Sequence, residues 1–228
     1  MKRLILQNWN PEETVEIRTQ YETEPIIPHS RKSIEKYCLE YNIDYEFVRN
    51  KRYFSGSDVT CEKLSVVDEA YNKYDYILIL DVDIYVLPGS PNIFDMYSQT
   101  DFAVRGGAGS SISWKRHPTS SEIMSIINGG VVLWSRKIID MVKPEVNRRR
   151  SEKIDVVDEK FIQDLFLWCK QEYNYEWNVS SLDHTFNRYA REFYDLNEPA
   201  YFLHYGGDDS KKSKHMFSTH HCQYFDTK

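Results

Sequence analysis

Tyr74-Asp75-Tyr76-Ile77-Leu78-Ile79-Leu80-Asp81-Val82-Asp83-Ile84-Tyr85-Val86-Leu87-Pro88 decides how the rest of the chain is read. Ile77 to Leu80 form an unbroken apolar run, the pattern of a strand buried on both faces of a parallel sheet. Two carboxylates, Asp81 and Asp83, follow at its carboxyl end. In open α/β sheets that edge is where ligands bind. An extended backbone through Val82 would send both carboxylates to one side, because side chains alternate along a strand. Two anions so close repel and call for a cation. A divalent ion held by oxygen ligands would supply the charge and keep positions open for a phosphate. Asp also ends many strands simply as a turn former, but a pair spaced Asp-x-Asp behind four aliphatic residues is more specific than one.

Upstream, Leu4-Ile5-Leu6 reads as a short strand ending in Gln7-Asn8. With Ser30 as N-cap, Ile34, Tyr37, Cys38 and Tyr41 share one helical face. Ile43 to Val48 alternates as a strand. A helix is expected from about Val59 to Lys73, with Leu64, Val67 and Tyr71 on its apolar face. Strand, helix, strand, helix, strand in this order predicts a parallel sheet with right-handed crossovers.

Downstream, Pro88 to Pro91 marks a turn before a short helix reaching Met96. Phe102-Ala103-Val104 is a strand, and residues 106 to 121 read as a long loop. Ile126 to Trp134 is a second buried strand with Asn128-Gly129-Gly130 near its start, and glycine there suits close approach of a ligand or backbone. A helix from Lys137 is expected to stop near Pro144, and Arg148-Arg149-Arg150 to sit in a solvated loop. Asp158 to Glu172 is the longest helical pattern. The acids Asp158 and Glu159 suit its first turn through the helix dipole alone. Ala200 to His204 is a last strand.

The bulk properties exclude several classes. The chain of 228 residues, 14% aromatic, can build one sizeable α/β core. Its net charge of −6, with both signs interspersed, argues against nucleic acid as a partner. No apolar stretch is long enough for a transmembrane helix, and Leu4-Ile5-Leu6 is too short for a signal-peptide core. Cys38, Cys61, Cys169 and Cys222 fit neither a zinc pattern nor a disulfide scaffold. A soluble, cytoplasmic protein is expected, and the sequon at Asn178 is read as chance.

Four separated pieces remain: Asp81-x-Asp83, Asn128-Gly129-Gly130, Asp158-Glu159, and His204-x-Gly206-Gly207 followed by Lys211. In this order they resemble the metal-dependent, nucleotide-sugar glycosyltransferases of the GT-A fold, above all the retaining family 8, family 34 and blood-group types. The resemblance implies an α/β GT-A fold with a mostly parallel central sheet flanked by helices. It also implies one catalytic domain over residues 1–212, followed by a tail over 213–228.

The resemblance further implies roles for residues. Asp81, Asp83 and His204 would hold Mn²⁺ or Mg²⁺, an oxygen and nitrogen set that suits manganese. Gly206 and Gly207 would let the backbone approach the diphosphate, and Lys211, or its neighbour Lys212, would add positive charge. The family spacing is His-x-x-Gly-x-x-Lys, whereas Lys211 here lies seven residues after His204. Asn128 and Gly129 would contact the donor sugar, as would Lys63 on the helix before the metal strand. Asp158 would bind sugar hydroxyls, and Glu159 would stabilise or attack the reacting carbon. The expected partners are a UDP-sugar donor and a saccharide or glycan acceptor. Two rivals are a non-catalytic nucleotide-sugar or glycan-binding module and a phosphatase of the haloacid dehalogenase type, which also places Asp-x-Asp after an apolar strand.

Overall fold

The computed structural model describes residues 1–9, 26–49, 53–54, 59–106, 119–125, 127–154, 158–190, 192–193, 197 and 199–205. A six-stranded sheet forms its centre, in the order β2 (Asp44–Arg49), β1 (Arg3–Trp9), β3 (Tyr76–Leu80), β6 (Ile127–Ser135), β5 (Phe102–Gly106), β7 (Val179–Ser181). Five strands run one way; β6 runs against both neighbours. The expected parallel sheet is therefore interrupted by one strand. That reversal matters for the site, because it carries the start of β6 to the carboxyl end of β3.

The aliphatic run in β3 is buried on both faces, as its pattern requires. Ile77 and Ile79 pack with Leu4, Trp134, Ile138 and Phe161. Leu78 and Leu80 point the other way, against Ile34, Tyr37 and Cys38. Each such side chain stabilises the fold by about 1.5–3 kcal/mol when fully buried. Phe102, Trp134 and Trp177 add an aromatic cluster with ring centroids 4.7 to 5.9 Å apart.

Helix boundaries differ from expectation for identifiable reasons. The first described helix, α1, spans Ile26–Tyr41 and ends at Asn42, whose φ of +52° is the left-handed turn asparagine tolerates. Ser30 is thus interior rather than capping, and its hydroxyl bonds the Ile84 carbonyl at 2.5 Å. The expected helix over 59–73 is instead 3₁₀, Val59–Val67 and Glu69–Tyr71. Cys61 to Val67 are all buried, so no single apolar face selects the wider α-helical turn.

Helix α2 spans Ile93–Met96. The loop expected over residues 106–121 lies outside the described residues from 107 to 118. Its last two positions belong to α3 (Ser120–Met124), which opens on a capping box between Thr119 and Glu122. Helix α4 runs Arg136–Ser151, straight through Pro144. Its buried face of Ile138, Ile139, Val142 and Val146 offsets the hydrogen bond the proline forfeits. Arg148 and Arg149 consequently lie on its last turn, both paired with Glu145, and not in a loop. Helix α5 follows over Asp158–Tyr173.

A second, three-stranded sheet lies beside the first, in the order β4 (Ile84–Val86), β9 (Phe202–His204), β8 (Arg188–Tyr189). The last apolar strand of the sequence therefore joins this small sheet rather than the central one. No described helix is long and apolar enough to cross a membrane.

Candidate metal and nucleotide site

The backbone does not stay extended through Val82. Strand β3 stops at Leu80, and a turn closed by the Ile84 amide donating to the Asp81 carbonyl at 3.1 Å carries both acids. The turn still brings them together. Gln7, wholly buried, holds it from below: its Nε2 donates to the Asp81 carbonyl at 2.9 Å, and its Oε1 accepts from the Tyr45 hydroxyl at 2.6 Å.

Strand register then places the third group. Ile84 of β4 pairs with His204 of β9, and the Tyr205 amide donates to the Asp83 carbonyl at 3.1 Å. His204 Nε2 lies 3.5 Å from Asp83 Oδ1 and 3.8 Å from Asp81 Oδ2. One ligand atom from each of Asp81, Asp83 and His204 falls within 4.8 Å of the others. Two unit charges no farther apart than this repel by about 3.5 kcal/mol or more at an effective dielectric constant near 20. Burial pushes the Asp83 carboxyl up, the imidazole of His204 opposes this, and Asp81 adds to it. A cation among these atoms would relieve that strain, and two carboxylate oxygens with one imidazole nitrogen suit Mn²⁺ or Mg²⁺. The donor set fits the expected ion.

The antiparallel β6 supplies the opposite wall. The Asp81 amide donates to the Gly130 carbonyl at 2.9 Å, so Asn128-Gly129-Gly130 begins where β3 ends. Lys63, nearly buried, places Nζ 2.8 Å from Asp81 Oδ1 and donates to the Gly129 carbonyl at 3.0 Å. The same peptide is held from its other side, where the Gly129 amide donates to Glu159 Oε1 at 2.9 Å. Lys63 and Glu159, nearly 100 residues apart in sequence, thus meet on one glycine.

Asn128 Oδ1 accepts from the Gly130 amide at 3.1 Å and from Asn187 Nδ2 at 2.7 Å, while its Nδ2 donates to the Tyr189 hydroxyl at 3.0 Å. The Tyr189 ring stacks on His204, centroids 5.4 Å apart. Arg105 also lies over that ring, at 5.0 Å from its centroid, and pairs with Glu192.

Asp81, Asp83, His204, Lys63, Asn128, Gly129 and Glu159 therefore converge. Asp158 opens α5, and its side chain lies outside the described residues. Gly206, Gly207, Lys211 and the 213–228 segment also lie outside them. Sequence reading missed Gln7, Asn187 and Tyr189. Gln7 had a signal, a polar residue directly after a buried strand; Asn187 and Tyr189 had none, since nothing periodic marks the stretch around them.

No protein-family model matches the sequence, and no curated protein matches it. Among solved structures, the chain is similar to a glycosyltransferase involved in the glycosylation of the major capsid of PBCV-1. The two share 16% identity over 96% of this chain and 99% of that one, with a TM-score of 0.61. Weaker likenesses are to the galactosyltransferase LgtC in complex with donor and acceptor sugar analogues (12% identity, 95% of each chain, TM-score 0.49) and to mouse xyloside xylosyltransferase 1 (11% identity, 92% and 99%, TM-score 0.45). The likeness to the PBCV-1 capsid glycosyltransferase carries the fold assignment. The architecture is the GT-A fold, a mostly parallel central sheet flanked by helices.

Proposed function

We propose that the chain is a glycosyltransferase that moves a sugar from a nucleoside-diphosphate donor, a UDP-sugar, to a hydroxyl of a saccharide or glycan, with retention at the anomeric carbon. The observation that carries this reading is the cluster of Asp81, Asp83 and His204 at the carboxyl edge of the central sheet. Those three side chains would hold Mn²⁺, or Mg²⁺. When bound, the ion supplies positive charge for the diphosphate that departs.

In this reading Lys63 adds a second positive charge beside Asp81, and Asn128 and Gly129 line the donor sugar. Gly206 and Gly207 would let the backbone approach the diphosphate, and Lys211 would add positive charge. In the transfer, the bond from the anomeric carbon to the diphosphate oxygen breaks and its electron pair stays on that oxygen. The acceptor oxygen bonds the anomeric carbon and its proton passes to the leaving diphosphate. Glu159, with Asp158 binding sugar hydroxyls, would stabilise the positive charge that develops on the sugar ring.

One observation favours a second reading. Glu159 Oε1 is engaged by the Gly129 amide, a structural task that a binding module without catalysis would also need. The GT-A fold leaves the dehalogenase-type phosphatase without support. Incubation with a panel of UDP-sugars and Mn²⁺ separates the two that remain. Slow release of UDP to water, faster with a saccharide acceptor, is the expected result; UDP-sugar binding without any turnover favours the module.

A further inference from the structure

We infer that Asn187 is a positioning residue that decides which nitrogen of His204 is offered to a cation; the inference rests on the metal-site reading above and deepens it. Gly130 supplies a donor that cannot reverse its role. The Gly130 backbone N–H lies 3.1 Å from one end of the Asn128 amide, so that end is the oxygen. An oxygen accepts, and the Asn187 amide atom 2.7 Å from it is therefore Nδ2. The other end of the Asn187 amide is then Oδ1, and it lies 3.0 Å from His204 Nδ1. Since Oδ1 only accepts, Nδ1 carries a proton. His204 Nε2 is left facing Asp83 and Asp81.

A chain of three hydrogen bonds thus transmits the polarity of one peptide group to the imidazole. Asn187 is fully buried, so its amide has no water to turn towards. The ring is held in its plane by the stacked Tyr189 on one side and by Gly130, which lacks a Cβ, on another. A cation arriving at the two carboxylates would meet Nε2 already aimed, with no ring rotation to drive. Asn187 reaches the cluster through His204 Nδ1, while Nε2 is the nitrogen that faces the carboxylates. Partners of this kind commonly set the affinity of the histidine they orient.

The test uses the full chain and Mn²⁺ alone, with free ion read by electron paramagnetic resonance. Asn187→Leu keeps the volume and removes both hydrogen bonds; Asn187→Asp keeps an acceptor for Nδ1 and loses the donation to Asn128. Mn²⁺ binding should weaken about 10- to 100-fold in Asn187→Leu and stay within about threefold, or tighten, in Asn187→Asp. Equal weakening in both overturns the inference, because it means Asn187 only braces Asn128. Unchanged binding in a folded Asn187→Leu overturns it too. Should that variant not fold, long-range ¹H–¹⁵N spectra of the wild type with diamagnetic Zn²⁺ still decide: a proton on Nδ1 and metal on Nε2 support the inference, and the reverse overturns it. Failure of the wild type to bind Mn²⁺ removes the metal reading itself, and this inference with it.

Discussion

Gly130 faces His204 so closely that a Cβ added at that glycine would lie 2.6 Å from the imidazole Cε1 and 2.8 Å from Nδ1. The ring cannot retreat, since it is buried against Tyr189 and tied to Asn187. Gly130→Ala should cost about 1–3 kcal/mol through overpacking and displace Nε2 from the acid pair. A lowered melting temperature together with at least tenfold weaker Mn²⁺ binding is the expected outcome. Wild-type affinity in this variant would show that the ring position does not matter.

The Asp81 turn depends on Gln7 in a comparable way. Gln7→Leu keeps the bulk but removes the amide's hydrogen bonds to the Asp81 carbonyl, which keeps the Ile84 amide, and to the Tyr45 hydroxyl. Losing a hydrogen bond of this kind costs about 0.5–1.5 kcal/mol. Chemical denaturation should show a loss in that range with an unchanged slope, and Mn²⁺ binding should weaken as the turn loosens. A stable variant with full Mn²⁺ affinity would contradict the role given to Gln7.

How much of this was legible in the sequence follows from where each contact lies. The run Ile77 to Leu80 has no polar face, and both its faces are buried, so the strand and its place at the centre were readable. Asp81 and Asp83 were readable as a pair because they follow that run directly, although a turn rather than an extended strand unites them. His204 stood out as a titratable group closing an apolar strand. The reversal of β6 was not readable, because a buried strand has the same composition in either direction. Nor was the 3₁₀ geometry of residues 59–67, since spacings of three occur in both helix types. Asn187 was hidden for a different reason. Its function lies in a hydrogen bond to a histidine 17 positions away, and such pairings leave no local pattern.

Glu159 tests whether the shared glycine is only a structural anchor. Glu159→Gln retains an oxygen for the Gly129 amide and removes the negative charge. UDP and Mn²⁺ affinities should stay within about twofold while turnover falls about a hundredfold, the loss typical of removing one preorganised electrostatic contact. Full turnover in the glutamine variant would reduce Glu159 to its hydrogen bond.

The pair of arginines on α4 gives a prediction about acid stability. Hydrogen bonds from Arg148, and then from Arg149, hold the buried Glu145 carboxyl below the usual carboxylate range. A depressed value in the folded state means the stabilisation is complete above the unfolded value and is lost as pH falls through the folded one. Glu145→Gln should therefore melt below the wild type at pH 7, and the gap should narrow once the pH drops below about 4. A gap independent of pH would assign the effect to packing alone.

The central claim is that one cation joins Asp81, Asp83 and His204 to a nucleoside diphosphate, and calorimetry with UDP tests it most directly. UDP should bind the wild type in the presence of Mn²⁺, and binding should disappear when the ion is chelated or when Asp81 and Asp83 are both replaced by alanine. UDP bound equally well without any metal, or by the doubly substituted protein, would contradict the account.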